Sequence, residues 1–266
     1  MLNRALYKRE MKGSVRLLLI LAAVITLYVA VIVNMYDPEM MAMLDSFAQA
    51  MPELMAAVGM SPGANSLLGF MISYLYGFIL LIFPMIFCIL RANAMIARYV
   101  DNGSMVTLAA APVSRRTIAL SQAAALASGI LLLAVWSTAV ELTCAAISFP
   151  GELNVGELLR LNAGLVCLHL FIGGVCFLAS CLFPDTRRSI GVGAGIPALM
   201  YVLQMLANVG GAAEKAKYFT FFTLFDPTGI VAGSGGALIG AGVLLAGAAA
   251  LCAAAVTVFC RKDLSI

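Results

Sequence analysis

The chain has 266 residues, of which 63% are hydrophobic and only 11% are charged, with a mean hydropathy of +1.03. Soluble globular domains carry about 25% charged residues, so this composition excludes an ordinary soluble protein. The charged residues behind the net charge of +3 are sorted between alternate polar segments instead of gathered on one face, so this charge does not indicate a nucleic-acid-binding surface.

The first sixteen residues are basic and amphipathic. Four cations recur every four residues, which places them along one side of a helix: Arg4, Lys8, Lys12 and Arg16. A helix of this kind lies in the membrane interface and leads into a span, so we predict an elbow helix over residues 1–16. A simple positively charged anchor is a compatible alternative. The apolar run that follows is too long for a signal peptide and lacks a small-residue cleavage site, so we expect it to be retained.

Six apolar runs are long enough to cross a hydrocarbon layer about 30 Å thick. They are Leu17–Met35, Leu67–Leu90, Ile118–Phe149, Leu161–Phe183, Ile190–Val209 and Ala237–Cys260. Because backbone amides in lipid must be satisfied within the chain, each run is predicted to be a helix. We predict an all-α polytopic membrane protein that forms a single transmembrane domain over residues 1–266.

The positions of the basic residues predict how the chain is oriented. Thirteen of the 16 Lys and Arg residues fall in the N-terminal segment, the C-terminal segment and every second loop between them. The acidic residues favour the other loops. Because loops rich in Lys and Arg stay on the inner side, we predict a multi-pass protein of the cell membrane with both termini in the cytoplasm.

The first external loop, residues 36–66, is rich in methionine. After Met35 come Met40, Met41, Met43, Met51, Met55 and Met60. Thioether sulfur suits Cu(I), so a role in copper export is one interpretation. The alternative is an amphipathic helix on the outer surface, broken at Pro52, in which methionine fills apolar gaps. No cysteine or histidine lies nearby to strengthen the copper interpretation, and we expect this chain to bind no metal.

Two ionisable residues lie within the predicted spans. Glu141 is the one acid in any of them, and charge at that depth is costly, so its side chain should face the bundle interior or a wet cavity. A place on a substrate path and a plain interhelical hydrogen bond are equally open. His169 is the sole histidine. A neutral ring bonded to a neighbouring helix is favoured over proton relay or metal binding with Cys167, because residues two apart on a helix do not face each other. Pro84 and Pro197 predict kinks in the second and fifth spans.

Small and aromatic residues mark the end of the chain. Gly236-x-x-x-Gly240 has the spacing that lets helix backbones approach closely, within the bundle or between subunits. The segment Tyr218–Gly229 is either an outer aromatic belt or a set of short helices in the outer leaflet, ending in a turn at Asp226-Pro227. The seven cysteines lie in or beside the spans and are odd in number, so no disulfide framework is expected.

A short segment of small residues separates the second and third runs: "DNGSMVTLAAAPVSRRT", Asp101–Thr117. Gly103 frees the chain from the second span, and a short helix is predicted over Ser104–Ala111, with Ser104 as its N-cap. Pro112 then stops this helix, and Ser114 caps the next one. A segment that only connected two spans would be polar. An exposed apolar helix indicates a surface that packs against another protein.

This segment and several others, in the same order, resemble the permease subunits of ABC transporters of the type 2 exporter class. The resemblance covers nearly the whole chain: the basic elbow, "MPELMAAVG", "APVSRR", "CLFPDTRRSIGVGAG", "KYFTFFTLFDPTGI" and "CRKDL". In this family an acid, a glycine and a hydrophobic run precede Pro-x-Ser-Arg, as Asp101, Gly103 and Pro112 to Arg115 do here. The family commonly has Glu in place of Asp101. It also has a further acid beside that Glu, and in this chain the neighbouring positions are occupied by Tyr99 and Asn102.

The resemblance implies a permease half whose cytoplasmic coupling helix docks on a separate ATP-binding subunit. The residues it assigns to this contact are Asp101, Gly103, Ser104, Met105, Val106, Thr107, Leu108, Pro112, Ser114, Arg115 and Arg116. The chain lacks the Gly-x-x-x-x-Gly-Lys-Ser/Thr phosphate loop, so ATP and Mg are expected on the partner and no enzymatic activity on this chain. Two ATP-binding subunits and a second permease subunit, identical or related, would complete the complex in the lipid bilayer.

Two other classes of function are open. A stand-alone carrier or channel usually places several ionisable groups near the membrane midplane. An intramembrane enzyme needs paired carboxylates, a histidine cluster or a Ser/Lys set at that depth, and one Glu and one His in separate spans supply none of these. The scarcity of charge in the spans favours amphipathic or lipid-like cargo.

Overall fold

The computed structural model describes residues 2–37, 43–44, 46, 49–60 and 66–262, and these residues form helices joined by short turns. In chain order the α-helices are α1 (Arg4–Asn34), α2 (Pro52–Ala57), α3 (Leu67–Met71), α4 (Ile79–Met95), α5 (Ala97–Asp101), α6 (Met105–Ala109), α7 (Arg115–Ser148), α8 (Val155–Leu182), α9 (Thr186–Val209), α10 (Pro227–Val231) and α11 (Gly235–Arg261). Within the described ranges, six segments are long and apolar enough to cross a membrane: α1, α4 with α5, α7, α8, α9 and α11. The chain is an all-α multi-pass membrane protein, as predicted.

The bundle is built around α8. It packs against α4, α7, α9, α10 and α11, while α1 packs mainly along α7. Leu168, Ile172 and Phe177 on α8 are almost completely buried. Leu19 on α1 and Ile239 on α11 are exposed instead, which is the expected state of side chains that contact lipid.

The two ends of the bundle differ in charge. We call basic end the end at which α1, α7 and α9 begin and α11 finishes, near Arg4, Arg115, Arg187 and Arg261. At this end the backbone N–H of Asn3 donates to Ser121 Oγ at 2.8 Å. The opposite end holds the loop with α2, and there Ser148 Oγ donates to Asn34 Oδ1 at 2.8 Å.

The N-terminal segment differs from the prediction of a separate elbow helix over residues 1–16. Asn3 caps α1, and the helix then runs without interruption to Asn34. Gly13 does not break it, because the segment contains no proline and the Gly13 carbonyl is bound by Arg91 Nη1 at 3.4 Å. The basic residues therefore belong to the same helix as the first span and do not form an independent helix.

The second span is interrupted at a position that contains no proline. After α3, residues Ile72–Tyr76 form a π-helical turn, and two residues separate this turn from the start of α4. A Cβ atom on Gly77 would lie 2.6 Å from the Val58 carbonyl oxygen, so the loop holding α2 packs directly on this glycine. Tyr201 donates to the freed Gly77 carbonyl at 3.0 Å. Pro84, predicted to kink the span, lies inside α4.

Short helices cover the opposite end between α9 and α11. Two 3₁₀ helices, Gly211–Phe219 and Phe221–Leu224, precede α10. Asp226 caps α10 by accepting from the Gly229 N–H at 3.0 Å, and Pro227 occupies its first turn. Of the two interpretations of this aromatic segment, the structure favours the short helices. Residues 49 and 50 are helical, Met51 forms a bend and Pro52 begins α2, so the helix is broken at Pro52 as predicted. Met40 and Met41 of the methionine-rich loop lie outside the described residues.

The small-residue motif of α11 is used within the chain at one of its two glycines. A Cβ atom on Gly240 would lie 2.5 Å from the backbone oxygen of Leu224, whereas one on Gly236 would meet no atom within 4 Å. The Gly240 position therefore brings α11 against the short helices of the opposite end.

The Gly240→Ala variant is expected to lower the free energy of unfolding by about 1–3 kcal/mol, because the added methyl group must push a backbone segment away. Gly236→Ala is the matched control, and there the higher helix propensity of alanine should leave stability unchanged or raised. Chemical unfolding in mixed micelles measures both. Equal stability of the two variants would contradict the close approach at Gly240.

Candidate functional site: the connecting segment at the basic end

The predicted docking segment forms a short helix on the surface of the basic end. α5 ends at Asp101, and Gly103 follows with φ +73°, a backbone conformation that favours glycine and turns the chain. α6 then spans five residues, Met105–Ala109, shorter than the predicted Ser104–Ala111. The helix ends early because Pro112 disfavours helical conformation in the residue before it. Ser114 caps α7 as predicted, accepting from the Thr117 N–H at 3.2 Å.

The side chains of α6 divide between the core and the surface. Met105 is buried and Leu108 packs against the core, which fixes the helix to the bundle. Val106 is 45% exposed, and Thr107 beside it is exposed as well. Pro112 and Arg116 lie exposed at the end of the same segment. The segment thus offers a small, partly apolar surface at the basic end.

Ser104 occupies the predicted N-cap position of α6 but does not cap the helix with its side chain. Instead the Asn102 Oδ1 accepts from the Ser104 N–H at 3.1 Å, and the Ser104 hydroxyl also bonds to Asn102. A side-chain oxygen that accepts from the backbone two residues on is typical of asparagine in turns, so Asn102 orders the approach to α6.

Side chains from α7 and α8 hold the break between α4 and α5, from which the segment continues. Gln122 Nε2 donates to the Met95 carbonyl at 2.5 Å, and the Ala97 N–H donates to Ser180 Oγ at 2.9 Å. These are the backbone groups that a helix break at Ile96 leaves without partners. The position of α5 and α6 is therefore coupled to two other spans.

A buried ion pair ties the same region to α1. Arg91 Nη2 lies 3.1 Å from Glu10 Oε2, with exposed side-chain fractions of 11% and 4%. Tyr99 on α5 donates to Glu10 Oε1 at 2.8 Å. The sequence did not predict this cluster, although Glu10 is the one acid in an otherwise basic N-terminal segment. Tyr99, which stands where the resembled family has an acid, is thus used inside the chain.

The end of the segment contacts the end of α11. Arg115 Nη1 donates to the Lys262 carbonyl at 2.8 Å, and Lys262 Nζ donates to the Leu182 carbonyl, also at 2.8 Å. A cation at the end of α8 complements its unpaired carbonyls. Burial lowers the pKa of the Lys262 ammonium group, and the nearby Cys181 acts in the opposite direction.

The buried residue Glu141 lies in a separate polar cluster nearer the opposite end. Its carboxylate accepts from Tyr76, at 3.1 Å to each oxygen, and from Asn162 Nδ2 at 2.9 Å. Tyr76 belongs to the π-helical turn, and Asn162 to α8. Of the two roles predicted for Glu141, the geometry favours the interhelical hydrogen bond. His169 on α8 also bonds to a neighbouring helix, as predicted. Its Nε2 lies 3.2 Å from the carbonyl oxygen of Leu81 on α4.

A cavity of about 850 Å³ opens beside this cluster at the opposite end. Tyr76, and not Glu141, faces it, together with Tyr201, Gln204 and Phe222. The lining mixes aromatic faces with hydroxyl and amide groups. Such a surface suits an amphipathic molecule.

In the part of the chain that the structure describes, no group of three or more His, Cys, Asp or Glu residues is placed to hold a metal ion. All seven cysteines are free thiols. No protein-family model matches the chain, and no curated protein matches its sequence.

Proposed function

We propose that this chain is the membrane-spanning permease subunit of an ABC exporter of the type 2 class. The observation that carries the proposal is the exposed apolar helix α6, which is held at the basic end between two spans and presents Val106 at its surface. This exposed, partly apolar segment offers a surface on which a protein partner can dock. The resemblance of the ordered sequence motifs, with Pro112 to Arg115 the strongest, supports an ATP-binding subunit as that partner.

The anchoring of α6 supports a mechanical role. Force applied at Val106 passes through Met105 into the core and through the break at Ile96 into α7 and α8. The hydrogen bond from Tyr99 to Glu10 extends the same connection to α1. A partner that closes on ATP would thereby bias the bundle between inward-open and outward-open states.

The complex would contain two ATP-binding subunits, which carry ATP and Mg, and two permease subunits that form the path between them. In this arrangement the basic end is cytoplasmic, since Lys and Arg accumulate on that side of the cell membrane. The cargo is amphipathic, which agrees with the mixed lining of the 850 Å³ cavity at the opposite end.

Purification of the intact, tagged chain from its native membrane tests the proposal. We expect a soluble subunit with a phosphate loop to co-purify in equal amount, and its ATPase activity to depend on the chain in lipid vesicles. Transport across vesicles by the chain alone, with no need for nucleotide, would contradict the proposal and support a stand-alone carrier or channel.

A further inference from the structure

A second cavity, of about 670 Å³, lies at the basic end between α1, α4, α5 and α9. Its wall contains three arginines and three aliphatic side chains: Arg16, Arg91, Arg98, Leu17, Leu90 and Ile190. The proposed transport cycle gives this cavity no role. Its lining combines concentrated positive charge with apolar surface.

The charge of the cavity is only partly compensated within the chain. Glu10 pairs with Arg91, and Asp101 is the acid among the lining residues that the structure describes. Arg16 and Arg98 are exposed, and neither has an ion-pair partner within the described ranges. Two free guanidinium groups at one cavity are suited to phosphate, which guanidinium binds through paired hydrogen bonds.

The apolar residues place this cavity at the edge of the hydrocarbon layer. Leu17 and Ile190 begin two of the apolar runs, and Leu90 ends a third. All three lie in the cavity wall beside the arginines. Only a ligand with a charged head and an apolar body would contact both kinds of surface, and a phospholipid has this form. A soluble phosphate ion would use the arginines alone.

Hydrogen-bond acceptors also lie in the wall. Asn93 is 7% exposed, and its Oδ1 has no hydrogen-bond partner within the described residues. The Asp101 carboxylate lies in the same wall. Buried acceptors are normally satisfied. A headgroup that carries hydroxyl groups next to its phosphate, such as phosphoglycerol, would supply a donor to Asn93 Oδ1.

We propose that this cavity binds the headgroup of an anionic phospholipid of the phosphatidylglycerol type. The phosphate lies between Arg16 and Arg98, and the acyl chains run along Leu17, Leu90 and Ile190. Basic pockets between spans on the cytoplasmic side are a known way to bind such lipids. The proposal does not depend on the transport function, because it needs only a membrane-embedded bundle.

The test is thermal unfolding of the full chain in mixed micelles containing either phosphatidylglycerol or phosphatidylcholine with the same acyl chains. We expect phosphatidylglycerol to raise Tm by about 5 °C more than phosphatidylcholine, as a ligand specific to the folded state does. In the Arg16→Gln/Arg98→Gln variant this difference should vanish. Arg91 is left unchanged, because its removal would leave Glu10 unpaired.

The matched control is Lys8→Gln/Lys12→Gln, which removes the same charge from exposed positions of α1 outside the cavity. This variant should keep the difference between the two lipids. Equal loss in both variants would show diffuse attraction to an anionic surface and overturn the proposal. The lipid assignment also fails if inorganic phosphate, added to phosphatidylcholine micelles, raises Tm as much as phosphatidylglycerol does.

Discussion

Replacing Val106 with glutamate is expected to abolish stimulation of the ATP-binding subunit that purifies with the wild-type chain. Val106 is the exposed apolar side chain of α6, so in the proposed complex it enters the partner's surface. A carboxylate buried there without a partner costs about 3–5 kcal/mol. A penalty of this size weakens docking by about 100-fold or more. Membrane insertion should be unchanged, because Val106 contributes little to the core.

The control for this variant is Leu2→Glu, which adds the same charge at an apolar residue of the same end that is 59% exposed. Leu2 lies outside the connecting segment, so stimulation should be retained. The Val106→Gln variant separates loss of apolar contact from burial of charge, and it should fall between wild type and Val106→Glu. Normal ATPase stimulation in Val106→Glu would contradict the assignment of α6 as the docking helix.

The fold was largely predictable because the membrane simplifies the problem. A run of about 20 apolar residues must be helical in lipid, so the apolar runs located all six spans. The fourth run, predicted from Leu161, extends back to Val155 because Asn154 caps α8, accepting from the Gly156 N–H at 3.1 Å. Hydropathy does not detect this polar first turn.

The interruptions of the helices were not predictable in the same way. The break before α4 depends on the packing of Val58 against Gly77 and on the hydroxyl group of Tyr201, more than a hundred residues further along the chain. Proline marked a different position, since Pro84 lies within α4. The apolar runs therefore predict that the second span is helical, whereas contacts between residues far apart in the sequence determine where this span is interrupted.

In the candidate site, too, the features that depend on neighbouring residues were predictable, and the contacts between distant residues were not. Glycine, proline and serine chemistry predicted the turn at Gly103, the stop before Pro112 and the cap at Ser114, because each acts on its own neighbours. The hydrogen bond from the Ser104 N–H to Asn102, which orders the approach to α6, is equally local. The links from the segment to α1, α7 and α8 join residues about 30 to 90 positions apart, and one sequence alone does not predict them.

The Glu10–Arg91 pair gives the second large effect, on stability. We expect Arg91→Met to lower the free energy of unfolding by about 3–5 kcal/mol, because it leaves a buried carboxylate with Tyr99 as its remaining side-chain donor. Glu10→Leu should cost a similar amount, since the guanidinium group of Arg91 would then be buried without a counterion. Unfolding in mixed micelles by increasing the fraction of denaturing detergent measures both variants.

The double variant Glu10→Leu/Arg91→Met distinguishes a paired charge from a general packing role. Apolar residues of similar volume often replace a buried ion pair at little or no cost, so the double variant should recover most of the stability that either single variant loses. Arg188→Ala is the surface control. It removes an ion pair to Asp185 whose arginine is 72% exposed, and it should change stability by less than about 1 kcal/mol. If the losses of the two single variants simply add in the double variant, the ion pair is not what joins α1 to α4.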